Sequence, residues 1–205
     1  MNPTQKREQF RAILSGDRCI HPASVFDPIS VRIAEDLGFE LAFMAGSMAS
    51  ATVLGAPDLV VLTLSEFAEQ IRRICRATTL PLTVDADHGY GNALNVKRTV
   101  EELEAAGLSG LTIEDTVLPQ SFGKGKGEDL ISVEEGVGKM KAALAGRQDP
   151  SLLIIARTSS LGIEGVEGTI RRGKAYQQAG VDAFWLAGGT TKEAISKIHA
   201  EIDLP

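Results

Sequence analysis

The chain has little cysteine, no excess of positive charge and no long apolar run. Cys19 and Cys75 are the only cysteines in 205 residues. Two are too few for a disulfide framework, and they fall on segments that read as a strand start and a helix, so reduced thiols packed as small hydrophobes are expected. Lys and Arg total 21 against 27 Asp and Glu, a net charge of −6, which leaves no basic footprint for a nucleic-acid backbone. No stretch approaches the roughly 18 uninterrupted apolar residues of a membrane span. The opening Met1 to Arg11 is polar, unlike the apolar heart of a signal peptide. These absences set the expectation of a soluble cytoplasmic protein with neither nucleic acid nor membrane among its partners.

The residues that are present have globular proportions, 43% hydrophobic and 23% charged, and the length suits one well-buried core. Two periodicities alternate along it. Short apolar runs at about 20–25, 41–45, 81–85, 109–114, 152–157 and 182–187, bounded mostly by Gly or Pro, read as strands. Between them, apolar residues three or four apart read as amphipathic helices: Phe67, Ile71 and Ile74; Val96, Val100 and Leu103; Val133, Val137, Met140 and Leu144; Ile195, Ile198 and Ile202. A hydroxyl residue followed three later by Glu offers a reciprocal N-terminal cap at Thr63 with Glu66, Ser132 with Glu135 and Thr190 with Glu193.

Gly38, Gly107 and Gly180 stand where helix-like stretches end and strands begin, at intervals that fit two βα units of roughly 35 residues each. Repeated βα units build a parallel sheet. The expected fold is α/β, a (β/α)₈ TIM-type barrel truncated after about six βα units, because eight units typically need about 250 residues. Asp203-Leu204-Pro205 matches the approach Thr79-Leu80-Pro81 to an earlier strand, so a single barrel domain over residues 1–205, lacking strands seven and eight, is expected. A complete doubly wound sheet of six strands has the same periodicity and stays open at this point.

In parallel α/β folds functional groups gather where strands end, and the acids of this chain cluster there. Asp85 and Asp87 close the third strand, where period-two alternation puts them on one side of the backbone. Two carboxylates so placed repel unless a hard divalent cation neutralises them, Mg²⁺ in the first place and Mn²⁺ as the alternative. Glu114 and Asp115 end the fourth strand and Asp58 follows the second, offering further oxygens directly or through water. The competing reading makes Asp85 or Asp87 a helix cap, with Glu114 and Asp115 as solvated loop acids. Arg157 ends the fifth strand, where a guanidinium can bind a substrate carboxylate bidentately or serve a structural ion pair. Gly46, Ser47 and Met48, just after the second strand, offer backbone N–H groups and a hydroxyl at the same rim. His88 is expected to be a wall residue or to support the ligands from behind, since a hard oxygen site rarely recruits imidazole. The stretch Gln120 to Gly127 lacks the Gly-Lys-Ser/Thr ending of a P-loop and reads as a lid.

The segments Ser24 to Asp27, Asp85-Ala86-Asp87-His88-Gly89-Tyr90-Gly91-Asn92, Ile113-Glu114-Asp115 and Ile155-Ala156-Arg157-Thr158 together resemble the isocitrate lyase and phosphoenolpyruvate mutase superfamily. The likeness runs through essentially the whole chain and is greatest to its oxaloacetate decarboxylase branch. The resemblance implies a homotetramer of barrels and Mg²⁺ held by Asp85, with Asp87 and Glu114 acting mainly through water. It implies an α-keto acid substrate whose carboxylate meets Ser47, neighbouring backbone groups and Arg157. Superfamily members continue through strands seven and eight, which supply a substrate-contacting His and a helix exchanged between subunits. The lyases carry a lid Cys, whereas Thr116 to Lys124 has none; the mutases carry a Lys and an Asn where this chain has Thr116, Gln120 and Phe122. The expected activity is therefore Mg²⁺-dependent decarboxylation of oxaloacetate to pyruvate and CO₂, with Asp85 and Arg157 as catalytic residues. A C–C bond lyase of the methylisocitrate type and a non-catalytic fragment are the alternatives.

Overall fold

The computed structural model describes residues 1–123, 127–188 and 191–205. Among them, β1 (Ala23–Ser24), β2 (Ala42–Met44), β3 (Leu82–Asp85), β4 (Gly110–Glu114), β5 (Leu153–Thr158) and β6 (Ala183–Leu186) form one sheet. Every neighbouring pair is parallel and the spatial order is the chain order, β1 to β6. A doubly wound sheet reverses its winding at a switch point. This order has none, so the doubly wound alternative is excluded.

The sheet also curls. In a flat sheet β2 and β6 would stand about 19 Å apart at the usual ~4.8 Å per strand, yet the rings of Phe43 on β2 and Trp185 on β6 lie 5.3 Å apart. Their side chains meet across a shared interior, as the strands of a barrel require. On β6, the Phe184 N–H donates to the Pro205 carbonyl just as the Ala42 N–H donates to Pro81 ahead of β3, so the likeness between those two approaches extends to their hydrogen bonds.

Four helices bear out the apolar spacing. In α4 (Leu64–Ala77) Phe67, Ile71 and Ile74 are buried, and in α5 (Ala93–Ala105) so are Val96, Val100 and Leu103. In α6 (Val133–Gly146) Met140 is buried, with Val137 and Leu144 packed beside it. In α8 (Lys192–His199) Ile198 is buried but Ile195 is exposed. Thr63 with Glu66 forms the full reciprocal cap, and Ser132 accepts from the Glu135 N–H. Thr190 lies outside the described residues; the residue that caps α8 is Thr191, which accepts from the Ala194 N–H. Gly38, Gly107 and Gly180 all have positive φ, the conformation their positions demand.

Other elements escape the periodicity: α1 (Pro3–Leu14), α2 (Pro28–Asp36), the single turn α3 (Gly46–Ala49) and α7 (Ser160–Ala179). The polar opening of the chain is α1. Its Phe10 packs with Leu41, Leu153, Ile155 and Ala183, and a Cβ at Gly110 would come within 2.7 Å of its ring. Lys6 donates to the Cys75 and Thr78 carbonyls at the end of α4, and Arg7 to the Leu108 carbonyl just ahead of β4. Thus α1 floors the N-terminal end of the barrel. Cys75 is buried, and burial raises its thiol to about 11. Cys19 is exposed and precedes β1, so the expectation of a packed thiol in a strand is corrected there.

Candidate active site

At the opposite, C-terminal end of the strands a cavity of about 540 Å³ is lined by Asp58, Asp85, Asp87, Glu114 and Arg157, together with residues of the loop after β4. A second cavity, about 510 Å³ and bordered by Lys6, Arg72 and Arg76, lies at the N-terminal end, where barrels carry stability rather than chemistry.

The acids converge, though partly for a reason other than strand alternation. Asp85 is the last residue of β3, and its Oδ1 accepts from Thr112 Oγ1 on β4 at 3.1 Å. Asp87 lies beyond the strand with φ 48°, a left-handed turn rather than an extended residue. Its N–H donates to Asp85 Oδ1 at 3.2 Å, and its carboxylate packs so close to Gly46 that a Cβ there would stand 2.8 Å from Oδ1. Glu114 ends β4, 5% exposed, and accepts from Thr116 Oγ1 at 2.9 Å. The cap of the following helix, α5, is Asn92, so neither Asp85 nor Asp87 serves there.

Asp115 is corrected. As the next residue along from Glu114 it faces the other side of the strand. There it is fully buried and accepts from Thr158 Oγ1, Arg172 Nη1 and the Tyr176 hydroxyl at 3.0, 3.1 and 2.7 Å. It is a structural anchor beneath α7, neither a metal oxygen nor a solvated acid.

Burial, and then the charges of Asp85, Asp58 and Glu114, push the Asp87 carboxyl up to about 8. Burial also raises Glu114, against the pull of Arg157. Arg157 Nη1 donates to Asp85 Oδ2 at 2.5 Å, and its Nη2 lies 3.6 Å from Glu114 Oε2. Burial opposes its charge, but these two carboxylates outweigh burial and raise its pKa. In this geometry Arg157 occupies the ion pair that was the alternative to substrate binding.

Among the described residues no three His, Cys, Asp or Glu side chains close on a point as a ready-made metal cage. The donors nonetheless suit a hard cation. All are carboxylate oxygens around one cavity, and Mg²⁺ usually keeps several waters and takes one or two carboxylates directly. Of the residues expected to bind substrate, Gly46 is buried against Asp87 whereas Ser47 is exposed; neither Ser47 nor Met48 is among those lining the cavity. His88 is buried beside Tyr90, 6.3 Å between ring centroids, burial lowers it to about 4, and it is not among the residues lining the cavity. Sequence reasoning missed Leu59, Val60, Leu118 and Glu128, which also line the cavity. Val60 has φ 56°, a conformation that a β-branched residue seldom adopts and no pattern announces. Gln120, Ser121 and Phe122 of the expected lid line the cavity as well; residues 124–126 of that stretch lie outside the described residues.

The phosphoenolpyruvate phosphomutase family model matches residues 10–205. The chain belongs to that family. This phosphomutase-family chain is 58% identical over 200 residues to an oxaloacetate decarboxylase of Bradyrhizobium diazoefficiens, covering 98% of this chain and 69% of that protein. It is equally similar, with the same coverage, to an oxaloacetate decarboxylase of Rhodopseudomonas palustris strain BisB18. Among solved structures, oxaloacetate acetylhydrolase in complex with 3,3-difluorooxalacetate superposes with a TM-score of 0.89 at 31% identity, over 99% of this chain and 70% of its own. Phosphonopyruvate hydrolase in complex with oxalate and Mg²⁺ gives 0.83 at 32%, over 100% and 71%.

Proposed function

We propose that this protein is a divalent-metal-dependent oxaloacetate decarboxylase, releasing CO₂ and pyruvate. The observation that carries the reading is the convergence of Asp58, Asp85, Asp87, Glu114 and Arg157 on one cavity at the strand ends. It is supported by the relatives named for this activity. Asp85, with Asp87 and Glu114 through water, would hold the ion; once bound, it supplies positive charge where the electrons of the breaking C–C bond collect. Arg157 exchanges its bond to Asp85 for the carboxylate of the keto acid and fixes its orientation. Gly46 and Ser47, at the start of α3, would offer backbone N–H groups to that carboxylate, whereas the Met48 N–H is already given to the Ala45 carbonyl. Val60 and Leu118 give the cavity apolar surface that excludes water from the reacting carbon. CO₂ leaves with the bond broken, and a proton taken up at the vacated carbon completes pyruvate.

In the same reading Mg²⁺ is the working ion ahead of Mn²⁺. The protein acts as a cytoplasmic homotetramer of single-domain chains, which light scattering in solution checks. Pyruvate formation from oxaloacetate should exceed that caused by Mg²⁺ alone and vanish when EDTA removes the metal. A rate equal to free Mg²⁺ rejects the reading, and release of succinate from a methylisocitrate-like acid would transfer it to the lyase alternative.

A further inference from the structure

The turn that carries Asp87 is held in a conformation its residues do not favour. Asp87, Gly89, Tyr90 and Gly91 have φ of 48°, 77°, 63° and 144°, and Asp87 and Tyr90 carry side chains that make the left-handed region unfavourable. Such a turn persists only where its surroundings over-determine it, and here each successive carbonyl is held. The Gly89 N–H donates to Ala86 and the Glu114 N–H to Asp87, at 2.9 and 2.8 Å. Lys139 Nζ donates to the His88 carbonyl at 2.9 Å, and Thr99 Oγ1 to Gly89 at 3.1 Å.

Lys139 is the unexpected member of this set. It reaches in from α6, is only 3% exposed, and has the His88 carbonyl as its one hydrogen-bond partner among the described residues. Burying an ammonium is far costlier than burying a neutral donor that could hold the same carbonyl. The compensation is charge. Burial pulls its pKa down, while Glu135, Asp115 and Glu114 pull it up, and Lys139 stands behind the acid cluster without lining the cavity.

We propose that Lys139 is a positioning residue of the acid cluster: its buried ammonium clamps the His88 carbonyl and so holds the Asp87 turn in the orientation that receives the cation. The inference rests on the reading that this cluster binds a divalent cation. Asp115, by contrast, is bonded to α7 and to Thr158 and does not touch the turn.

The test is Mg²⁺ titration calorimetry in the absence of substrate on the full chain, its Lys139→Met and Lys139→Arg variants, and Thr99→Val, which removes the neighbouring neutral clamp. Thermal melts and the Mg²⁺ dependence of oxaloacetate turnover accompany it. Lys139→Met is expected to weaken Mg²⁺ binding on the order of ten-fold and to raise the half-saturating Mg²⁺ by a similar factor, with a smaller loss of kcat at saturation. Lys139→Arg is expected to restore most of the affinity. A Lys139→Met protein that binds Mg²⁺ like the parent, whatever its melting temperature, overturns the assignment. If that variant does not fold, unchanged affinity in Thr99→Val overturns it instead, and a several-fold loss supports it. A parent chain that binds no Mg²⁺ overturns the metal-site reading itself, an outcome distinct from unchanged variants.

Discussion

At the residue scale, the two strand-end groups separate binding from assembly. Asp85 is held by Thr112 and the Asp87 N–H and faces Arg157, so Asp85→Ala should abolish metal-dependent turnover while leaving the fold's circular dichroism intact. Arg157→Ala should raise the KM for oxaloacetate by more than ten-fold, about 2 kcal/mol or more for a truncated charge pair; an unchanged KM would remove Arg157 from the substrate site. Asp115→Asn should act on stability, costing about 1–3 kcal/mol in urea unfolding, because Arg172 would keep Glu164 but lose the charge of its fully buried partner. Asp85, Glu114 and Arg157 were legible as polar residues closing apolar runs. That Asp87 joins them was also legible, but the cause was not: it arrives through a left-handed turn held by bonds from distant elements. The division of labour between Glu114 and Asp115 follows from strand alternation once β4 is placed, since adjacent residues face opposite sides.

Among elements, the helices that sequence pattern revealed are those packed with one apolar face against the sheet. The floor helix α1 escaped because it buries Lys6 and Arg7 by giving their charged heads to backbone carbonyls and, for Arg7, to the Asp149 carboxylate, while hydropathy reads both residues as surface. In α7 the pattern is broken by several glycines and a kink at Gly165, φ 70°. Phe10→Ala should empty the barrel floor beside Gly110 and cost about 3–5 kcal/mol, checked by denaturant unfolding. A loss under 1 kcal/mol would show that α1 only drapes over the strand ends.

For the whole molecule, acid should be the weak direction. Burial works against ionisation of Asp149, but hydrogen bonds from Ser151, Arg7 and Thr4 outweigh it and hold its pKa far below the ordinary carboxylate range. The Arg172 hydrogen bonds lower Glu164 as well. Carboxyls depressed in the folded state contribute stability that is complete above their unfolded pKa of about 4 and is lost as pH falls toward the folded values. The melting temperature is therefore expected to fall steeply below about pH 4, where carboxyls raised in the fold, such as Asp87, are already protonated in both states and change nothing further; a flat profile from about pH 4 down to pH 3 would contradict these pairings. By itself the sequence determined the βα alternation, the strand positions and the acids at their ends, because periodicity and punctuation are local properties of a chain. Whether six such units wind back on themselves or continue around an arc was decided only by tertiary structure. The choice depends on which distant strands pair and on contacts such as Phe43 with Trp185, and local pattern is the same in both arrangements.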